Sequence, residues 1–536
     1  MPLALKRFLF PSLYTASLFV FAFLFAPLGF NPTDDGVVLA QTARFWSGQI
    51  PFLDFVSIRP FGSVFLHWPA LMFGEYRLLA SRFITVFEIG FYSYAFLSFT
   101  VNRMRIELSE LVFWLLAGIS FALNLHSFPL IAWTSIDAIF LVSVGVFLRN
   151  KLSSDSWWSL LAYATISMAA LCRQTFLPVG LLSIWYFQDH KNWKAYLGVV
   201  LPYLLFGMYL FGQGVVEAAI YQMSVSGVSV KFVLKVLLQY KGAYLGLLLG
   251  ASFVLAWQWQ KHRNWIWMSR LMLGLCFGLA IAIMVLLLRS NSYRYLPTAV
   301  WISIIPMIGS EMRFHRLSRH YAIGIFVLFI TGLTAISIGY PSPALIMAWP
   351  WLVLVFWVMK RFTPLLSLHW FALGSFCLVL LLSAFVRLNH IYRQPASEYL
   401  QYKTKYAGLK GIWMDKHTAE ALNELSLWQS HLKGKRIVLF DYAACRIASK
   451  EEMLCKGDWL TQEEFPSKAL QDSLFTDLKD SKTRFWIVQK YCSAELSDTL
   501  IPIQMRKDTL QQRLLQMLTQ QSIIYNEGKY FIVYRQ

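Results

Sequence analysis

Phe8-Leu9-Phe10-Pro11-Ser12-Leu13-Tyr14-Thr15-Ala16-Ser17-Leu18-Phe19-Val20-Phe21-Ala22-Phe23-Leu24-Phe25-Ala26-Pro27-Leu28-Gly29-Phe30 runs without a charge into Asn31-Pro32-Thr33-Asp34-Asp35-Gly36. The hydrocarbon core of a bilayer takes about 20 helical residues, and this run is long enough to cross it. Lys6 and Arg7 precede it, as in a secretory signal. The apolar stretch is longer than an ordinary signal core and shows no small-x-small cleavage site, so a retained anchor is expected. Two adjacent carboxylates then stand where the helix runs out. Only 13 of the 29 acids lie in the first 399 residues, so a pair at a membrane surface asks for a cause.

The same apolar pattern recurs along the chain. Of 536 residues, 57% are hydrophobic and 17% aromatic, and the mean hydropathy is +0.50, which excludes an ordinary soluble protein. Spans are expected near 8–30, 79–101, 109–125, 130–148, 157–172, 175–188, 195–211, 237–258, 270–288, 296–310, 321–340, 343–359 and 370–387. With Lys6 and Arg7 in the cytoplasm, alternate loops carry Arg103/Arg105, Arg149/Lys151, Lys191/Lys194, Lys261/Arg263, Arg313/Arg316/Arg319 and Lys360/Arg361. That regularity follows the positive-inside rule and leaves the C-terminus outside. The net charge of +19 has the same origin: from residue 400 on, 20 Lys and Arg face 16 Asp and Glu, and the larger excess belongs to short membrane loops. Topology, and not a nucleic-acid partner, accounts for it. The expected fold is an α-helical polytopic membrane protein with about 13 transmembrane helices and a small C-terminal α/β soluble domain. Residues 1–395 form the membrane part, with a first external loop at 31–78, and 396–536 form the outer domain.

In the first external loop, Val37 to Trp46 reads as an amphipathic helix in the interface with Gly48 as its C-cap. A second long external segment lies near 211–235. In the outer domain, helices are expected over 418–432 and 510–518, strands over 436–440 and 484–488, and a hairpin over 522–534 turning at Asn526-Glu527-Gly528. Cys172, Cys276 and Cys377 fall in apolar spans and read as packing residues. Cys445, Cys455 and Cys492 lie in the outer domain, where an oxidising compartment would allow a Cys445–Cys455 disulfide with one thiol left over.

Asp34 and Asp35 have two readings. Thr33 or Asp34 is placed to cap the following helix, and carboxylates in its first turn suit the helix dipole. An ionised carboxylate there is also placed to take a proton from a nucleophile. Asp137, in Trp133-Thr134-Ser135-Ile136-Asp137, stands at the external start of the fourth span. An acid at that depth is costly unless it is used or held by an arginine. Arg59, Arg173, Arg289 and Arg294 run against the positive-inside trend; guanidinium forks match phosphate, while snorkelling is the plainer reading. Glu88, inside the second span, is expected to bond a neighbouring helix, with a proton relay as the alternative.

Taken in order, these motifs resemble the polytopic glycosyltransferases of the GT-C fold, in particular the protein-mannosyltransferase and aminoarabinose-transferase-like branch. The resemblance rests on Asp34-Asp35-Gly36; on Gly48-Gln49-Ile50-Pro51-Phe52-Leu53-Asp54-Phe55; on Arg59-Pro60; on Asp137; on Arg173-Gln174; and on Arg294-Tyr295-Leu296-Pro297. It covers about 310 residues, and the order carries most of its specificity. This chain has Asp-Asp where Asp-Glu is common, and Phe61-Gly62 where a second proline is frequent.

The resemblance implies inverting transfer of a sugar from a polyprenyl-phosphate carrier to a lipid, glycan or protein acceptor on the external face. Asp34 would be the general base, Asp35 a neighbour in the catalytic pair serving mainly the helix cap, and Asp137 a support for base or acceptor. Arg59, Arg173, Gln174, Arg289, Tyr293 and Arg294 would hold the donor phosphate, and Asp54 would support the loop. No cofactor is required; a divalent metal is admitted, with Asp34 and Asp137 as its acids. The expected location is the inner (plasma) membrane, with the C-terminal domain periplasmic and no nucleic-acid partner. The alternative is a transporter or flippase of a lipid-linked glycan. That class tends to carry internal repeats and helices broken at the bilayer midplane. No repeat is visible here, and the unusual residues gather at one face. A non-catalytic scaffold would leave the acidic pair without a purpose.

Overall fold

The computed structural model describes residues 3–225 apart from 33, 104–106, 126–129 and 152–155, scattered positions between 326 and 389, and most of 397–535. The expected spans 237–258, 270–288, 296–310 and 343–359 lie outside the described residues, and of 321–340 and 370–387 only scattered helical positions are described. Arg289, Tyr293 and Arg294, as well as Cys276, Cys445 and Cys455, also lie outside the described residues.

The membrane-type part begins with α1 (Leu3–Phe25), α2 (Val37–Trp46) and α3 (Ser63–His67). A tight 3-10 stretch, Trp68–Tyr76, leads into α4 (Arg77–Arg103). α5 (Glu110–Asn124), α6 (Thr134–Lys151), α7 (Trp157–Cys172), α8 (Val179–Phe187), α9 (Trp193–Gly212) and α10 (Val216–Val225) follow. Among the described residues, Phe8–Phe25, the Ser63–Arg103 stretch and Trp193–Gly212 are long and apolar enough to cross a membrane. The expected spans up to residue 211 all coincide with helices. α1 stops at Phe25, short of Phe30, because Pro27 disfavours the α conformation at Ala26. The chain then turns through Gly29, whose φ is +79°.

α4 packs on α6, α6 on α7, and α7 on α9. Glycines permit the close approaches: a Cβ on Gly145 of α6 would lie 2.5 Å from the Ala162 carbonyl oxygen, and one on Gly198 of α9 would lie 2.5 Å from that of Leu160. At the end of α6 remote from Asp137, Arg149 grips Asp189 through two bonds of 2.5 and 2.7 Å, and Tyr163 donates to the same carboxylate.

The C-terminal domain is α/β. β1 (Tyr402–Lys403) pairs with β2 (Trp413–Met414), β5 (Tyr491–Ser493) pairs with β6 (Leu500–Pro502), and a sheet ordered β3-β4-β8-β7 is built from β3 (Arg436–Leu439), β4 (Phe485–Gln489), β8 (Phe531–Arg535) and β7 (Ile523–Glu527). β3 and β4 are parallel, and the other pairs are antiparallel. Side chains alternate across a strand, so β4 divides its residues between two cores. Trp486 and Val488 join Leu470, Leu474 and Leu478 of α12 (Lys468–Asp480), together with Leu510, Leu514 and Leu518 of α13 (Thr509–Gln521). Phe485 and Ile487 face α11 (Lys416–His431). The second core also contains Phe30, Leu39, Ala70 and Leu78 from the first loop of the membrane part. The hairpin forms as the sequence indicates, with its turn shifted to Gly528-Lys529-Tyr530.

The first loop and the C-terminal domain are also joined by backbone bonds. Gly29 donates to the Trp413 carbonyl at 2.8 Å, Trp413 to Pro27 at 2.7 Å, and Val56 to Lys456 at 2.8 Å. α2 therefore does not rest on lipid as expected. Seven of its ten residues are buried, and Arg44, with no exposed surface, forms a 2.8 Å ion pair with Asp458. It ends in a Schellman motif: Ser47 is the C-cap, Gly48 follows at φ +94°, Gly48 donates to Phe45, and Gln49 to Arg44.

Candidate functional site

Three polar clusters converge where the N-terminal half of α4, the start of α6 and the end of α7 meet the segment between α1 and α4. The acidic pair is the first. α2 is capped by Gly36 in the left-handed conformation with no side-chain cap bond, so neither acid is the capping residue that the sequence suggested. Asp35 instead lies 2.6 Å from Arg82 of α4, and both side chains are almost fully buried. Asn31 donates its N–H to Asp35 at 3.0 Å. Arg82 also donates to the carbonyls of Ala26 and Gly29, each at 2.6 Å. Arg82 thus ties the end of α1, the acidic turn and α4 into one knot. Burial pushes the Asp35 carboxyl above its ordinary value, and the Arg82 charge pulls the other way. Asp34 is buried as well; its N–H donates to the side-chain oxygen of Asn31 at 3.1 Å.

The second cluster is centred on Asp137, in the first turn of α6. Its partner is not an arginine. His67, the last residue of α3, places Nε2 3.2 Å from Asp137 Oδ1, and His67 Nδ1 lies 3.0 Å from Ser81 Oγ. Glu88 completes the group: one ligand atom each from His67, Glu88 and Asp137 lie within 4.8 Å of one another, and all three residues are buried. Glu88 meets Asp137 of the neighbouring helix α6 within hydrogen-bonding range, as the sequence reading favoured. With both acids ionised neither supplies a proton for that bond, and both Glu88 oxygens and Asp137 Oδ2 are then buried without a donor.

The third cluster holds Arg59 and Arg173, the two arginines of the expected phosphate set that fall among the described residues. Arg173, the C-cap of α7, donates to Ser135 Oγ of α6. Burial, and then the nearby Arg59 charge, press its pKa down to about 9, still well above neutrality. Arg59 is itself 3.4 Å from Glu464 of the C-terminal domain, so it is engaged across the domain junction. Gln174 donates to the Ile58 carbonyl at 3.0 Å. Asp54 accepts from the Ile50 N–H at 2.7 Å and closes the turn that carries Phe52. Gly62 seats this loop. Its N–H donates to the Leu171 carbonyl at 2.7 Å, and a Cβ there would lie 2.6 Å from the Leu171 carbonyl carbon.

The clusters are adjoining. Ser81 and Arg82 are consecutive on α4 and serve the second and first clusters. Ser135 and Asp137 share the first turn of α6 and serve the third and second. Beside them lies an apolar cavity of about 1080 Å³, lined by α1, the Leu66–Tyr76 stretch, α4 and α5, with Glu88 in its wall. The sequence reading missed His67 and Arg82. A signal for part of the second cluster was present: Ser81 and Glu88 are seven apart on one helix and so share a face.

No protein-family model matches the chain, and neither a curated protein nor a solved structure matches it.

Proposed function

We propose that the chain is an integral-membrane glycosyltransferase of the GT-C type, with about 13 spans and an external C-terminal domain. It would move a sugar from a polyprenyl-phosphate carrier to an acceptor at the outer face of the plasma membrane. The observation that carries this reading is the apolar cavity of about 1080 Å³. Its α4 wall, Leu79, Ala80, Phe83, Ile84, Phe87 and Glu88, is interleaved with Ser81 and Arg82 of the polar clusters. A hydrocarbon chain would fit there with its polar end beside buried acids and arginines.

In this reading the acceptor hydroxyl attacks the anomeric carbon. The Asp34 carboxylate takes its proton. The bond from that carbon to the phosphate oxygen breaks with its electron pair on the phosphate, which leaves on the carrier and inverts the configuration. Arg173 and Arg59 would hold the departing phosphate, since preorganised cations act most strongly where water is excluded. Asp35 serves by keeping Arg82 and the acidic turn in place, which separates its role from that of Asp34.

The test is transfer of labelled sugar from a polyprenyl-phosphate donor by the purified full chain in detergent. Wild type is expected to be active, and Asp34→Asn to lose about 10²–10⁴-fold of that activity with the fold intact. Full activity of a folded Asp34→Asn protein removes the base assignment. Absence of transfer from every carrier, with movement of labelled lipid across vesicles, establishes the transporter instead.

A further inference from the structure

We infer that His67, Glu88 and Asp137 form a binding site for one divalent transition-metal ion, of the zinc or manganese class. The inference does not rest on glycosyl transfer.

Two acids and a histidine are held together by three separate elements: the end of α3, the middle of α4 and the start of α6. Among the described residues, neither acid bonds a lysine or arginine. Glu88 and Asp137 face each other within hydrogen-bonding range, and with both ionised three of their four carboxylate oxygens are buried with no donor. Burying one such group unmatched is expensive, and burying two like charges side by side is more so. A divalent cation would cancel both charges at once.

The donor set fits. Imidazole nitrogen suits zinc and related metals, and carboxylate oxygen suits manganese and zinc. Three protein ligands leave a further position open. Ligands about 2.1 Å from a common ion stand at most about 4.2 Å apart, so a group already within 4.8 Å needs only a small contraction. Ser81 supplies the outer support that metal-bound histidines use. In one tautomer Nδ1–H donates to Ser81 Oγ and the lone pair of Nε2 faces Asp137 Oδ1 at 3.2 Å, the arrangement a metal needs; in the other, the Ser81 hydroxyl donates to Nδ1 and Nε2–H donates to Asp137. Two acceptors at that separation repel unless a cation or a proton lies between them. Glu88 also lines the apolar cavity, which gives the open position an approach.

The competing arrangement satisfies the same group with protons alone: a protonated Glu88 bonded to Asp137, or an imidazolium between the acids. Metal content separates the two. The purified full chain, stripped with a chelator and re-equilibrated with Zn²⁺ or Mn²⁺, is expected to retain about one ion per chain and to melt at a higher temperature. His67→Ala and Glu88→Gln, shown folded by size-exclusion chromatography and melting, are expected to retain none. Ser81→Ala keeps all three ligands and is expected to weaken binding about 10–100-fold. Should the ligand variants fail to fold, Co²⁺ absorption of wild type against Ser81→Ala decides the question. A wild-type protein that takes up no Zn²⁺, Mn²⁺ or Co²⁺, with a melt unmoved by metal or chelator, overturns the site. Unchanged metal content in folded His67→Ala and Glu88→Gln also overturns it.

Discussion

Arg82→Ala tests the knot on which the acidic turn depends. The substitution removes a guanidinium that bonds Asp35, Ala26 and Gly29, each at 2.6 Å. It leaves the Asp35 carboxylate, 1% exposed, without its counter-charge. Hydrogen bonds to charged groups are worth about 1.5–3 kcal/mol each, but three cannot be summed, because freed carbonyls relax towards other partners. Breaking one side of a buried ion pair costs about 3–5 kcal/mol, and that sets the expected loss. Asp35→Asn keeps an oxygen for the Asn31 N–H and leaves Arg82 its two carbonyls, so its loss is expected to be smaller, about 1–3 kcal/mol. The double variant is expected to fall short of the sum, because both substitutions remove the same pair. Lys410→Ala is the control: its partner Glu75 is 2.7 Å away, both side chains are exposed, and solvent screening leaves such a pair little effect on the melt. The assay is thermal unfolding in detergent, followed through the fluorescence of the chain's 21 tryptophans. At about 2 °C per kcal/mol, the lower end of the range for large domains, Arg82→Ala shifts Tm by about 6–10 °C. If Arg82→Ala melts with Lys410→Ala, or Asp35→Asn costs as much as Arg82→Ala, the knot is not what holds the turn.

Gly62→Ala drives a methyl into the Leu171 backbone and is expected to cost about 1–3 kcal/mol in the same melt. Gly48→Ala has open space around it and is limited to the strain of its positive φ, about 1–2 kcal/mol. Arg44→Ala leaves Asp458 buried without its 2.8 Å partner. It is expected to cost about 3–5 kcal/mol and to speed proteolytic release of the C-terminal domain, as judged by gel. Glu420 accepts from Lys529 at 2.7 Å and Tyr530 at 2.6 Å, chiefly the former holding its pKa below the ordinary 4.5. Its contribution is therefore complete above pH 4.5 and is lost as pH falls through the lower folded value. Glu420→Gln is expected to flatten that acid limb of Tm against pH.

The helices were legible because apolar runs and basic loops are local patterns. The described spans fall where hydropathy puts them, and β3, β4 and the final hairpin follow from runs of Ile, Val, Phe and Tyr. α12 was missed: its leucines recur at 470, 474 and 478, but charged residues between them masked the stripe. Asp34, Asp35 and Asp137 stood out because acids are rare in the membrane part. Their partners did not stand out. His67 is a single histidine in an apolar loop, and Arg82 reads as one more base near a helix end. Nothing local ties either to an acid 47 or 70 residues away.

The sequence by itself determined that this is a chain of apolar helices with a C-terminal α/β domain, because burial of an apolar face imposes periods that composition cannot hide. Only the tertiary structure decided what each acid does. It turned Asp35 from a helix cap into the counter-charge of Arg82, and it brought Glu88, His67 and Asp137 into one buried group. It also sealed the first loop beneath the C-terminal domain. The physical reason is that charge pairing and desolvation depend on distances through space, and those are fixed only when α4, α6 and α7 pack together.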